Sequence, residues 1–134
     1  MANGIERTPG GMLFRTRWLP VLAYVALIFT LSAQPGLTLP GAFKYRDKLA
    51  HLLEYGGLSG FVFRAARDTW PGSSGWRRAL IAAAAVSALG ACDEAFQSTV
   101  PMRDSSAFDW LADTLGGSLA QALGLTLARR RGVA

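Results

Sequence analysis

Four apolar segments, each close to the length that crosses a bilayer, occupy most of this chain and constrain its fold before any motif is considered. A helical span needs about 20 residues, and 134 residues supply four with little left over. They run from about Phe14 to Ala33, Asp47 to Ala66, Trp76 to Gln97 and Phe108 to Ala128. Clear breakers separate them: Gln34-Pro35-Gly36 follows the first, and Pro71-Gly72-Ser73-Ser74-Gly75 precedes the third. The fourth stops at Arg129-Arg130-Arg131. None shows the two-residue alternation of a barrel strand, so helices are the spanning form that can satisfy its own backbone. The expected fold is all-α, a four-transmembrane-helix bundle in a single domain over 1-134, with short solvated tails at 1-11 and 129-134.

Composition agrees. Charged residues make up 17% of the chain, below the roughly 25% usual for soluble domains. The sequence pI of 10.1 would suggest nucleic acid only if the basic residues formed a patch. They sit instead at the ends of the apolar segments, so the expected partner is the lipid bilayer and no nucleic acid. Cys92 is the single cysteine, which excludes an internal disulfide and a cysteine metal box. Arg15 and Arg17 ahead of an apolar run ending Leu31-Ser32-Ala33 raise the question of a signal peptide. Leu31 suits the cleavage pattern poorly and the run is long, so the segment is read as a retained span.

Basic residues orient the bundle, because Lys and Arg are retained on the cytoplasmic side. With the N-terminus inside, ten of the fourteen are cytoplasmic: Arg7, Arg15, Arg17, Arg64, Arg67, Arg77, Arg78 and Arg129 to Arg131. Lys44, Arg46, Lys48 and Arg103 lie outside. Both termini are therefore expected in the cytoplasm. Seven of the nine carboxylates fall on the opposite, outer side.

Those carboxylates are not scattered. Asp47-Lys48-x-x-His51-x-x-Glu54-Tyr55 opens the second segment, Asp93-Glu94-x-x-Gln97 closes the third, and Asp109 and Asp113 open the fourth after Arg103 in the loop. Residues three or four apart share a helix face, so each group forms a stripe, and all three stripes belong at the same outer level. At a rise of about 1.5 Å per residue, His51 lies about 6 Å and Glu54 about 10 Å inside the segment start. Ionisable groups at such depth face a bundle interior or a wet cavity. Seven acids against four bases leave an excess of negative charge, the condition under which desolvation and mutual repulsion mark functional pockets.

The spacing of Asp47-Lys48-x-x-His51-x-x-x-Tyr55, then Asp93-Glu94-x-x-Gln97, Pro101-x-Arg103 and Ser106-x-x-Asp109-x-x-x-Asp113-x-x-Gly116, resembles the VanZ-like family of small bacterial membrane proteins. The resemblance covers roughly Gln34 to Gly124, with the motifs in the family's order. One departure is Asp113, where the family pattern has Asn. The family's namesake is associated with resistance to the glycopeptide teicoplanin, so the resemblance implies a role in the bacterial cell envelope, in the cytoplasmic (inner) membrane, without supplying a reaction.

Two functional classes follow. In one, Asp47, His51, Glu54, Asp93, Glu94, Gln97, Arg103 and Asp109 line an outward-facing cleft that binds or shields a polar headgroup or lipid-linked precursor, with Lys48 and Arg103 holding phosphate or carboxylate. In the other, His51 and Glu94 or Asp93 exchange protons in acid–base chemistry on such a substrate. No nucleophile–base triad or phosphate-cradling glycine loop is present, and the lone histidine argues against a metal or other cofactor. A proton-coupled transporter fits less well, because the polar groups cluster at one face and not at the midplane. Structural roles compete at each position: Lys48 and Arg103 as charge partners of Asp47, Asp93, Glu94 or Asp109, Ser106 and Asp109 as helix caps, and Tyr55, Trp76 and Trp110 as interfacial aromatics. The orientation is tested with reporter fusions. Alkaline phosphatase joined after Gln34 should be active and after Ala134 inactive; the reverse pattern would place the acidic end in the cytoplasm.

Overall fold

The computed structural model describes residues 11–12, 14–37 and 45–132; Lys44 and most of the N-terminal tail lie outside them. A π-helical turn, Phe14–Trp18, leads into α1, Leu19–Ser32, and α2, Arg46–Thr69, α3, Gly75–Gln97, and α4, Ala107–Arg130, follow. The described residues contain no strand. The expected segments thus exist within a few residues, with α2 running three residues past Ala66 and the first segment tightening only at Leu19. Pro20 sits in the first turn of α1, where its missing N–H costs nothing. Pro35 and Gly36, the latter at φ +63°, turn the chain away after Ser32.

Two helical stretches are long and apolar enough to cross a membrane, Phe14–Ser32 and Gly75–Gln97. Helices α2 and α4 match them in length at 24 residues each, but carry the charged groups at their ends and along one face.

The most intimate pair is α2 with α4, and the two run parallel. Lys48 meets Asp109, His51 meets Asp113, Leu52 meets Gly116, and Gln121 donates to Ser59. Numbers rise together along both helices, so chain neighbours that run antiparallel, α2–α3 and α3–α4, pack around a parallel pair. Close approach explains it. A Cβ on Gly116 would lie 2.1 Å from the Leu52 carbonyl oxygen, and Gly56 lies against the Gly116 backbone. The Ser59 hydroxyl donates to the Gly117 carbonyl at 2.7 Å, and Gln121 Nε2 donates to both the hydroxyl and carbonyl oxygens of Ser59 at 2.9 Å. Such polar seams suit an interior where small residues let backbones touch. Gly56 and Gly60 have the four-residue spacing of a close-contact helix motif, but Gly60 has open space around it; the contact comes from Gly56 and Gly116 on different helices.

Helix α1 is the outer member. It buries Val21 and Ile28 against Tyr55, Leu58, Val62, Ala65, Ala82 and Val86, and lays Tyr24 across Gly57. At the basic end, Arg17 Nε pairs with Asp68 at 2.8 Å, the Trp18 indole donates to Thr69 Oγ1 at 2.8 Å, and Trp18 meets Trp70 edge to face. Arg78, buried there, donates to the carbonyls of Trp70, Pro71 and Ser73 and so closes the α2–α3 turn.

Polarity is inverted relative to a water-soluble bundle. His51, Ser59, Asp93, Glu94, Gln97, Asp109, Asp113 and Gln121 are buried, while Leu111, Leu115, Leu119, Leu123 and Leu127 form an exposed row on α4. The Leu52–Gly116 contact carries a sharp test. Gly116→Ala should lower stability in detergent by about 1–3 kcal/mol through overpacking. Gly60→Ala should leave it unchanged or raise it, since alanine favours a helix by up to about 1 kcal/mol. Thermal unfolding followed by circular dichroism separates the two.

Candidate functional site

The acidic ends of α2, α3 and α4 converge on a single polar cluster, and the local sequence shows why each side chain arrives there. Ser106 caps α4, its hydroxyl accepting from Phe108 N–H at 3.2 Å. This starts the helix so that Asp109 and Asp113, one turn apart, both face inward. Asp109 is therefore not the cap that its position allowed. It forms an ion pair and hydrogen bond with Lys48 Nζ, which also lies 3.6 Å from Asp47 Oδ2. Asp47 itself is exposed in the first turn of α2, where the helix dipole favours a carboxylate.

One turn deeper, His51 Nδ1 is 2.9 Å from Asp113 Oδ1 and 3.9 Å from Glu94 Oε1. Gly90 leaves the room for this arrangement, because a Cβ there would stand 2.8 Å from Asp113 Oδ2. The other Glu94 oxygen, Oε2, accepts from the Ser106 backbone N–H at 2.7 Å, tying the end of α3 to the start of α4. Asp93 and Glu94 occupy the last turn of α3, the end of a helix where its dipole opposes a negative charge. The hydrogen bonds they accept from Ser106 and Gln97 offset that opposition in part.

On the α1 side, Gln97 Nε2 donates to Asp93 Oδ2 at 3.0 Å and to Ser32 Oγ at 3.2 Å. Tyr55 is wholly buried beside Asp93, which corrects its reading as an interfacial aromatic; Trp76 and Trp110 are exposed as that role requires. Glu54, half-buried, lies within electrostatic range of His51, Asp93, Asp113 and Arg103. Arg103 forms no ion pair among the described residues; its Nη1 donates to the Leu37 carbonyl at 3.0 Å. It follows Met102, which holds a left-handed backbone at φ 61°. That conformation costs a non-glycine residue on the order of 1 kcal/mol.

Above the cluster is a small polar cavity of about 170 Å³ lined by Leu37, Arg46, Asp47, Gln97, Met102, Arg103 and Asp104. Of the proposed cleft residues, Asp47, Gln97 and Arg103 line this cavity; His51, Asp93, Glu94, Asp109 and Asp113 do not, and form a buried cluster linked to it through the Gln97–Asp93 hydrogen bond. Arg46, Asp104 and Ser32 were not anticipated as site residues. Ser32 shares the end of the apolar run with a second hydroxyl residue, Thr30, so nothing in the sequence singled it out, and loop positions such as Asp104 carry no periodicity to place them.

Hydrogen bonding in and around the cluster is incomplete. Among the described residues, seven buried side-chain polar atoms have no hydrogen-bond partner, and five belong here: Tyr55 Oη, Asp93 Oδ1, Glu94 Oε1, Arg103 Nε and Asp113 Oδ2. Native interiors leave few such atoms, and those that remain call for a specific role. The arrangement can bind cations at its buried acidic cluster, bind anions at Arg46 and Arg103, and shuttle protons between His51 and Asp113 or Glu94.

No family model, curated protein or solved structure matches this chain. The site therefore stands on its own geometry.

The Lys48–Asp109 pair supplies a direct check. Asp109 is buried and Lys48 about one-third exposed, so Lys48→Met should destabilise by about 2 kcal/mol, less than the 3–5 kcal/mol typical when a fully buried pair is broken. Adding Asp109→Asn should recover most of that loss. A Lys48→Met protein as stable as the wild type would show that the pair contributes little.

Proposed function

We propose that this chain is a VanZ-like integral membrane protein of the bacterial inner membrane. In this reading all four helices span and both termini are cytoplasmic. It acts in the cell envelope, through an outward-facing cleft that binds or shields the headgroup of a lipid-linked molecule, in the manner associated with teicoplanin-type glycopeptide resistance. The inverted distribution of polarity carries the reading. Carboxylates, His51 and glutamines fill the interior while leucines coat the outside, which is stable where the surroundings are hydrocarbon and unfavourable in water. Two sufficiently apolar helices support membrane insertion. The motif order from Asp47 to Gly116 supports the family.

The cleft suits a phosphate-bearing headgroup. Arg46 and Arg103 offer guanidinium groups to an anion, while Asp47 and Asp104 in the same lining suit the positive or hydroxyl-bearing part of such a headgroup. A second reading, acid–base catalysis on the same class of molecule, is favoured by one observation. His51 is hydrogen-bonded to Asp113 with Glu94 close by, a carboxylate–imidazole grouping that can both take and return a proton.

Lipid extraction and mass spectrometry of the purified wild type, Glu94→Gln and Arg103→Ala decide between these. The wild type should carry a phosphate-headgroup lipid enriched over the bulk membrane. Arg103→Ala should lose that enrichment by about tenfold, the value of one hydrogen bond to a charged group. Identical lipid profiles in all three would remove the cleft's binding role. Conversion of an added lipid to a new species, abolished by Glu94→Gln, would establish the catalytic reading instead.

A further inference from the structure

We propose that His51, Glu94 and Asp113 bind one divalent transition-metal cation of the zinc class. One ring nitrogen and one oxygen from each carboxylate all lie within 4.8 Å of one another. Zinc bonds to nitrogen and oxygen of about 2.0–2.1 Å place neighbouring tetrahedral ligand atoms about 3.3 Å apart. The separations of 2.9 Å and 3.9 Å from His51 Nδ1 to the two carboxylates bracket that spacing, so small side-chain rotations complete the set.

Clustering alone would not suffice. The deciding observation is that Glu94 Oε1, the atom 3.9 Å from His51 Nδ1, has no hydrogen-bond partner in a residue only 8% exposed; on the wholly inaccessible Asp113, Oδ2 is likewise unpartnered beside the Oδ1 that meets His51. Carboxylate oxygens withdrawn from water are costly unless something positive meets them. Neither acid forms an ion pair with Lys or Arg among the described residues; His51 is the one cationic partner of both. A divalent cation supplies the missing charge, taking the place of the proton that Nδ1 shares with Asp113.

A neighbouring grouping, Asp47, His51 and Asp109, also has the reach for a metal. Lys48 already pairs with both of its acids, and the ammonium repels a second cation. The metal therefore belongs on the Glu94–Asp113 side. An imidazole nitrogen selects zinc-like cations over magnesium or calcium, which prefer oxygen alone. Three protein ligands are also the number found where zinc keeps one position for water or substrate. The sequence argued against a metal because it holds one histidine and no paired-histidine motif. What the spacing could not show is that carboxylates from two other helices complete the ligand set.

This site is the buried cluster next to the cavity of the cleft proposed above, and metal binding there does not require a headgroup. The full chain, purified in detergent without a polyhistidine tag and stripped with chelator, is equilibrated with zinc chloride, and bound metal is counted by plasma mass spectrometry with no lipid added. About one zinc per chain should be retained by the wild type and by Asp47→Asn. Glu94→Gln and Asp113→Asn should bind at least about tenfold more weakly, since even outer-shell partners of a metal cost that much. Should those variants fail to fold, copper-loaded wild type gives a second readout by pulsed electron paramagnetic resonance. A single imidazole nitrogen coupling is expected and is assignable, because His51 is the sole histidine. Less than about a tenth of an equivalent of zinc in the wild type, equal loading in the ligand variants, or no imidazole coupling would overturn the site. Any of these would leave the headgroup reading to its separate lipid assay.

Discussion

The contact of the α2 and α4 backbones at Leu52 and Gly116 sets the register from which the rest of the molecule follows. With no side chain at position 116, the two parallel helices approach until a Cβ would collide with the Leu52 carbonyl. At that separation Lys48 reaches Asp109 and His51 reaches Asp113. Further along, Ser59 and Gln121 interlock, and Gly124 sits beneath the Phe63 ring. Widening the gap by one methyl group would stretch every one of these links together, because they lie on the same pair of rigid rods.

Helix α3 then serves as the third wall, and its attachments are polar as well as steric. Ser87 Oγ lies 2.8 Å from Thr114 Oγ1 and its carbonyl accepts from the Trp110 indole at 3.1 Å, while Glu94 accepts from the backbone N–H of Ser106, the residue that caps α4. The interior is therefore organised by directional bonds at one end and by close-packed small residues at the middle. Its acidic end carries negative charge where the dipole of α3 opposes it, a cost that the fold tolerates at the cluster with unpartnered oxygens.

Helix positions were legible because apolar length and breakers such as Pro35-Gly36 and Pro71-Gly72 are local signals. The stripes at Asp47 to Glu54, Asp93 to Gln97 and Asp109 to Asp113 were legible for the same reason: helical spacing puts them on one face and charge patterning puts them at one end. Partnerships were not. Lys48 could have served any of four acids, and only the parallel packing of α2 on α4 selects Asp109. Tyr55 looked like an interfacial ring because its composition is amphipathic, yet its position in the third turn of α2 turns it into the core. The Gly56–Gly60 spacing pointed to a helix contact, and the actual contact uses Gly56 with a residue sixty positions away. In each case a long-range approach decided what a local pattern left open.

The exposed leucines of α4 recur every fourth residue from Leu111 to Leu127. On a helix of 3.6 residues per turn each such step advances about 40°, so the five sweep about 160° around the axis. A paired-helix zipper follows a 3.5-residue period and stays on one line. This spiral drifts off any straight seam within two turns. A row at four-residue spacing is instead the ridge along which helices cross obliquely, so the neighbours it suits are ones that pass across the rod and not ones that run alongside it.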